Sequence, residues 1–191
     1  MKRGGGSAKG SSFEREICKR LSLWWTEGER DDVFWRTAGS GGRATNRLKQ
    51  GKGTSGAYGD LTFTDPIGAD LFRVFCFELK RGYGDWDVLS LIDRPPTKHP
   101  CVTEKFWKQA RRSCADAGAL YPMVIFRRDK KVSCVMSSRA VLTRLSAYVG
   151  FYRGPIIQIV IGGEDSVFIM PLENWLDHAT PRAIRKVGYC E

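Results

Sequence analysis

No apolar run in these 191 residues approaches the length of a membrane span, and the basic opening, residues 1–10, lacks the apolar stretch of a signal peptide. The chain therefore reads as soluble and intracellular, with no membrane partner. Histidine is scarce, with only His99 and His178. The six cysteines, Cys18, Cys76, Cys101, Cys114, Cys134 and Cys190, form no CxxC pair. Neither a structural zinc nor a disulfide framework is expected from that spacing. Cys76 and Cys134 lie inside apolar runs, where a thiol behaves as a small core residue, and reduced cysteines fit a cytosolic address. There is no internal repeat. Acidic residues are outnumbered, 21 Asp and Glu against 31 Lys and Arg, for a net charge of +10. Such a balance favours a polyanionic partner, because each neutralised phosphate releases counterions. It does not choose among DNA, RNA and an anionic membrane surface.

What is present describes one globular domain. Hydrophobic residues make up 42% of the chain, enough for a core. Residues 1–12, rich in Gly, Ser, Lys and Arg, read as a flexible basic tail before a single domain over residues 13–191. Ser11 or Ser12 is placed to cap a helix whose apolar positions Phe13, Ile17, Leu21 and Trp24 recur at helical spacing. Residues 33–37 read as a strand. A long Gly-rich stretch then runs to Gly59, and residues 33–59 hold five Lys or Arg and no acid. Loops of that length are functional or disordered more often than plain connectors. Residues 60–65 and 71–81 read as two strands of a hairpin, residues 104–117 as a basic helix, and residues 121–128 and 132–138 as further strands. Ser137 or Ser138 starts another helix, and two apolar strands and the short segment LENWL follow. The expected fold is α/β, a mixed central sheet flanked by helices. A core over residues 13–137 is followed by a C-terminal extension over residues 148–191.

The chemistry concentrates at residues 72–80. In a strand alternate side chains share a face, so Val74, Cys76, Glu78 and Lys80 point one way and Phe75, Phe77 and Leu79 the other. Apolar residues on both faces mark a well-covered, central strand. Two charges at its exit need partners, since an unpaired buried charge is costly. Glu78 and Lys80 can partly satisfy each other. Asp60, after Gly59 at the start of the neighbouring strand, can bring a second carboxylate beside Glu78. Two hard oxygen ligands with open positions suit Mg²⁺, with Mn²⁺ as substitute. Lys80 can orient a water or stabilise developing charge. The spacing alone is a weak signal, because a surface hairpin also carries such residues, but a surface hairpin would alternate polar and apolar side chains.

The pattern Gly59-Asp60 with Phe77-Glu78-Leu79-Lys80 resembles the PD-(D/E)xK nuclease superfamily. Residues 9–16, KGSSFERE, resemble the opening of archaeal-type Holliday junction resolvases, and residues 34–40, FWRTAGS, resemble a further segment of those enzymes. Four motifs stand in the family's order over roughly residues 9–81, less than half the chain. The resemblance implies a restriction-endonuclease-like core and a metal-dependent nuclease that cuts branched DNA as a homodimer, its two sites matching the two-fold symmetry of a four-way junction. Small size and an intracellular address suit a bacteriophage, acting inside a host cell, or a microbe. By position it implies Asp60 and Glu78 as metal ligands, Glu14 completing or supporting the metal site, and Lys80 as the catalytic lysine. Arg15, Arg36 and Ser40 would lie at the phosphate-binding edge. The stretch between Ser40 and Asp60 is longer than in compact resolvases, and nothing after Asp93 matches a motif. The same core serves restriction, repair and phage recombination nucleases, so such an enzyme is the alternative. A non-catalytic nucleic-acid binder is the rival from another class.

Other basic features are weighed beside these. Arg43, Arg47, Lys49 and Lys52 read as a basic flap over DNA phosphates, against a plain solvated loop. Lys105, Lys108, Arg111 and Arg112 form one face of the basic helix, where Lys108, Gln109 and Arg112 are candidate DNA contacts and a solvated face is the alternative. The cluster Arg127, Arg128, Lys130 and Lys131 at a hairpin turn is evenly balanced. Trp24, Trp25 and Trp35 are expected in the core or a dimer interface rather than stacked on bases. His99 is taken as structural or incidental.

Overall fold

A computed structural model describes residues 5–37, 58–82, 101–161 and 165–189. Helix α1 (Gly5–Trp25) leads into β1 (Phe34–Arg36); β2 (Leu61–Phe63), a 3-10 turn at Pro66–Gly68 and the short helix α2 (Ala69–Val74) precede β3 (Phe75–Arg81). Next come α3 (Val102–Ala117), β4 (Tyr121–Arg127), β5 (Ser133–Ser138), α4 (Arg139–Val149), β6 (Ile157–Ile161) and β7 (Asp165–Pro171). Helices α5 (Leu172–His178) and α6 (Pro181–Tyr189) end the described chain. β1 and β2 pair as an antiparallel ribbon, and the main sheet has five strands in the order β3-β4-β5-β7-β6. Only β3 and β4 are parallel, joined through α3, as a parallel pair requires a crossover. This is the mixed sheet flanked by helices that the pattern implied.

The alternation along each strand sorts the core into two layers. Phe75, Phe77, Leu79, Met123, Ile125, Val135 and Met170 face α1, α2 and α4–α6. Val124, Phe126, Met136, Val167 and Ile169 face Phe106, Trp107 and Ala110 of α3. Glu78, between Phe77 and Leu79, thereby shares the α3 side with Cys76 and Lys80. α3 is held in register by a capping box, in which the Glu104 carboxylate accepts from the Cys101 backbone N–H at 2.8 Å, and by Gly118 at φ +67° at its C-terminus. The two tryptophans ending α1 tie distant segments to it. Trp24 donates to the Leu176 carbonyl at 2.8 Å and Trp25 to the Ile67 carbonyl at 2.7 Å.

Several local expectations are corrected. Residues 60–65 and 71–81 do not form a hairpin: β2 pairs with β1, and residues 69–74 are helical. Leu71 and Val74 are buried three residues apart, the spacing of one helix face, but six residues hardly reveal a period. β3 is covered on both faces yet stands at the edge of the main sheet rather than its centre. α1 begins at Gly5, so Ser11 and Ser12 lie within it instead of capping it. LENWL is helical, and α6 follows it with Pro at its first position, where proline is favoured. Trp25 is 2% exposed and Trp24 half-buried, but Trp35 is 50% exposed and outside the core. Cys18, Cys76, Cys101, Cys114 and Cys134 are free thiols. No helix among the described residues is long and apolar enough to cross a membrane.

Candidate active site

An edge strand leaves backbone groups without a ladder partner. On β3 two of them are taken by one residue. The Asp60 N–H donates to the Phe77 carbonyl at 2.8 Å, and its Oδ2 accepts from the Leu79 N–H at 2.7 Å. Asp60 thus imitates a neighbouring strand across residues 77–79, which sets its carboxylate beside Glu78, the residue between. The approach requires glycine at position 59. Gly59 has φ +72°, and a Cβ there would stand 2.5 Å from the Phe77 carbonyl oxygen. Gly59→Ala is expected to cost on the order of 2–3 kcal/mol, from left-handed backbone strain plus the clash. Chemical denaturation of the variant checks this; an unchanged midpoint refutes the close-approach argument.

Glu78 is 2% exposed and well supplied with donors. Its Oε2 accepts from Lys80 Nζ at 3.0 Å and from Gln109 Nε2 at 2.7 Å, and its Oε1 from Ser113 Oγ at 2.6 Å. Gln109 and Ser113 are four residues apart on α3 and so lie on one helix face. Sequence reasoning placed Gln109 on DNA and missed Ser113. The signal for both was the i, i+4 pair of hydrogen-bonding side chains on the helix that must cross Glu78's face. The Lys80 side chain is 13% exposed, with its ammonium 5.9 Å from the Phe106 ring centroid.

Glu14 reaches the same region from α1, on the opposite face of the sheet. Arg36 Nε stands 3.4 Å from Glu14 Oε2, while Arg36 Nη1 donates to Ser11 Oγ at 2.7 Å. Despite the ion pair, Glu14 Oε2 is buried without a hydrogen bond. Asp60 feels both neighbours: burial first, then the Glu78 charge and more weakly that of Glu14, push its carboxyl up to about 6 against the pull of Leu79 N–H and Lys80. Among the described residues, no group of three His, Cys, Asp or Glu side chains is close enough to hold a metal ion unaided. A lone buried carboxylate oxygen and a carboxyl raised by its like-charged neighbours nevertheless suit a divalent cation. Mg²⁺ in particular is bound through one or two carboxylates with water and substrate phosphate completing its shell.

The remaining candidates are dispersed. Arg15, Lys108 and Arg112 are exposed on α1 and α3. Ser40, Arg43, Arg47, Lys49, Lys52 and His99 lie outside the described residues. Arg127 is committed to the fold. Its guanidinium grips both carboxylate oxygens of Glu16 and lies 4.8 Å from the Phe13 ring centroid, joining β4 to α1. Lys130 and Lys131 are exposed at the β4–β5 turn.

The model of a family described as "Phage putative PDDEXK endonuclease" matches residues 5–186, from α1 to α6. No curated protein and no solved structure matches the chain. Nearly the whole chain is spanned, including the ribbon, the β3–α3–β4 unit and the C-terminal helices, and the chain belongs to this family of phage PD-(D/E)xK endonucleases.

Proposed function

We propose that the protein is a Mg²⁺-dependent DNA endonuclease, with Mn²⁺ as substitute, whose active site is Asp60, Glu78, Lys80 and Glu14. One observation carries this reading. A glutamate 2% exposed is held by Lys80, Gln109 and Ser113 beside an aspartate fixed to the same strand, a costly arrangement for the fold alone. Asp60 and Glu78 would hold the metal, and Glu14 would support it. When bound, the metal lowers the pKa of a coordinated water and neutralises charge on the attacked phosphate. Lys80, with its ammonium anchored on Glu78, is placed to orient the attacking water and to offset charge growing on the phosphate oxygens. Gln109 and Ser113 lock the Glu78 carboxylate so that its orientation need not be found during the reaction.

The preferred substrate is a four-way DNA junction, cut by a homodimer acting inside the phage-infected cell. Support for the junction comes from the order of motifs between Lys9 and Lys80, and from the +10 charge that favours a large phosphate surface. Arg15, Arg36, Ser40, Arg43, Arg47, Lys49, Lys52, Lys108 and Arg112 are the proposed DNA contacts. The test is cleavage of a synthetic junction against a linear duplex of matched sequence, with Mg²⁺ and with EDTA. Paired nicks on the junction alone, abolished by EDTA, are the expected result. Equal cutting of both DNAs removes the junction assignment and leaves a general PD-(D/E)xK nuclease. Tight binding without cutting of either removes catalysis.

A further inference from the structure

Trp35 stands apart from the other described tryptophans. Trp25 and Trp175 are buried, Trp107 is packed under the sheet, and Trp24 is anchored through its indole N–H. Trp35 is 50% exposed, and among the described residues its ring meets no aromatic or cationic partner and its N–H no acceptor. Its neighbours explain the direction it points. Phe34 is fully buried and Arg36 turns to Glu14 and Ser11, so alternation sends Trp35 to the other face of the ribbon.

The ribbon also fixes where that indole lies relative to the site. Trp35 pairs with Thr62 and Arg36 with Leu61, while the Thr37 N–H donates to the Asp60 carbonyl at 2.9 Å. Thr62 is two residues beyond Asp60, or roughly 7 Å along an extended chain. Bases in a stacked strand are spaced about 3.4 Å apart, so a strand whose phosphate met Asp60 would bring a base two or three nucleotides away within reach of the indole. The protein carries a net charge of +10, which opposes a second copy of this chain on that face. It suits a nucleic-acid strand, which offers phosphates to a basic protein and a base face to the indole.

We propose that Trp35 stacks on an unpaired base of the DNA two or three nucleotides from the bond that is cut, selecting substrates with an extruded or single-stranded base at that place. The distance from the cut rests on the active-site reading above; the stacking itself does not. Trp35 is on the surface, so Trp35→Ala and Trp35→Phe are expected to fold, which thermal melting verifies. The first measurement is Mg²⁺-dependent cleavage of three substrates: a four-way junction carrying a single-stranded flap beside the crossover, a matched linear duplex, and bis(p-nitrophenyl) phosphate, which has no base. The second is quenching of 2-aminopurine at the unpaired position, read in EDTA so that binding is seen without cutting. Trp35→Ala is expected to slow flap cleavage about tenfold and Trp35→Phe to stay within about threefold of the parent. Hydrolysis of the small diester should be unchanged, and quenching should vanish in the alanine variant alone. Equal loss on flap and linear DNA, or quenching unaffected by Trp35→Ala, overturns the proposal. So does a change of oligomeric state by sedimentation, which would assign the residue to a protein interface. A parent protein that quenches but cuts nothing would remove the proposed active site and leave the stacking role standing.

Discussion

Asp60→Asn is expected to cut DNA about a thousandfold more slowly than the parent, the loss of several kcal/mol of metal-assisted stabilisation, yet to melt at a higher temperature in EDTA at pH 8. The two effects share a cause. In the folded protein the Asp60 carboxyl is raised from 3.8 to about 6, chiefly by burial and by the Glu78 charge. A carboxyl so raised favours folding while it is protonated. Below pH ~4 both folded and unfolded forms are protonated, and that contribution is present in full. As pH rises through 6 the unfolded chain ionises first, and the contribution is lost. Above that range the folded state carries a penalty of roughly 1–3 kcal/mol, which asparagine does not incur. Asparagine keeps an oxygen for the Leu79 N–H, so the edge of β3 stays closed. The variant should therefore melt about 3–10 °C above the parent at pH 8 in EDTA and alongside it at pH 4. Mg²⁺ should raise the melting point of the parent only. A difference between the two proteins that does not change with pH would show that Asp60 is not held as a strained acid.

Glu78→Ala is the second large effect, and it runs the other way. It should abolish cleavage and destabilise the protein by roughly 3 kcal/mol, because the largely buried Lys80 ammonium loses its counter-charge 3.0 Å away. The loss belongs to the pair and not to either residue. A Glu78→Met/Lys80→Met double variant, apolar at both positions, should recover most of the stability and none of the activity. Denaturant midpoints of Glu78→Met, Lys80→Met and the double variant measure the coupling. Additive losses would mean that the ion pair contributes nothing to the fold, and with it would fall the account of how Lys80 is held in place.

What could be read from the chain beforehand follows the range of the interactions involved. Glu78 and Lys80 were legible because their relation is local, two residues along one strand. Asp60 was legible as a partner, but for a different reason from the one the structure supplies. The presumed hairpin is absent: a six-residue helix leads into β3, and Asp60, which precedes that helix, joins the strand through its own backbone and side chain. The mixed sheet could be anticipated from the alternation of apolar runs, whereas the edge position of β3 depends on strand order, which no local pattern encodes. Ser113 was hidden because its i, i+4 pairing with Gln109 points to Glu78 only once the strand beneath the helix is known. Trp35 lies outside the core, although size and apolarity argue for burial in general, because its side depends on the ribbon's alternation relative to Phe34. Helix α6 was the avoidable miss: Thr180 before Pro181, with Ala183, Ile184 and Val187 on one side, is a helix start in plain view.

The hydrogen bonds of Asp60 also govern how this protein should be inactivated at the bench. A substitution that removes the carboxylate without replacing its acceptor leaves the Leu79 N–H open at the end of a strongly apolar strand. Such an edge is a template for pairing with another chain. An alanine at position 60 therefore invites self-association, and a loss of activity in that variant would mix dead chemistry with lost material. Asparagine separates the two, and any library screened for tolerated residues at this position should show acceptor-bearing side chains surviving in the soluble fraction long after activity has gone.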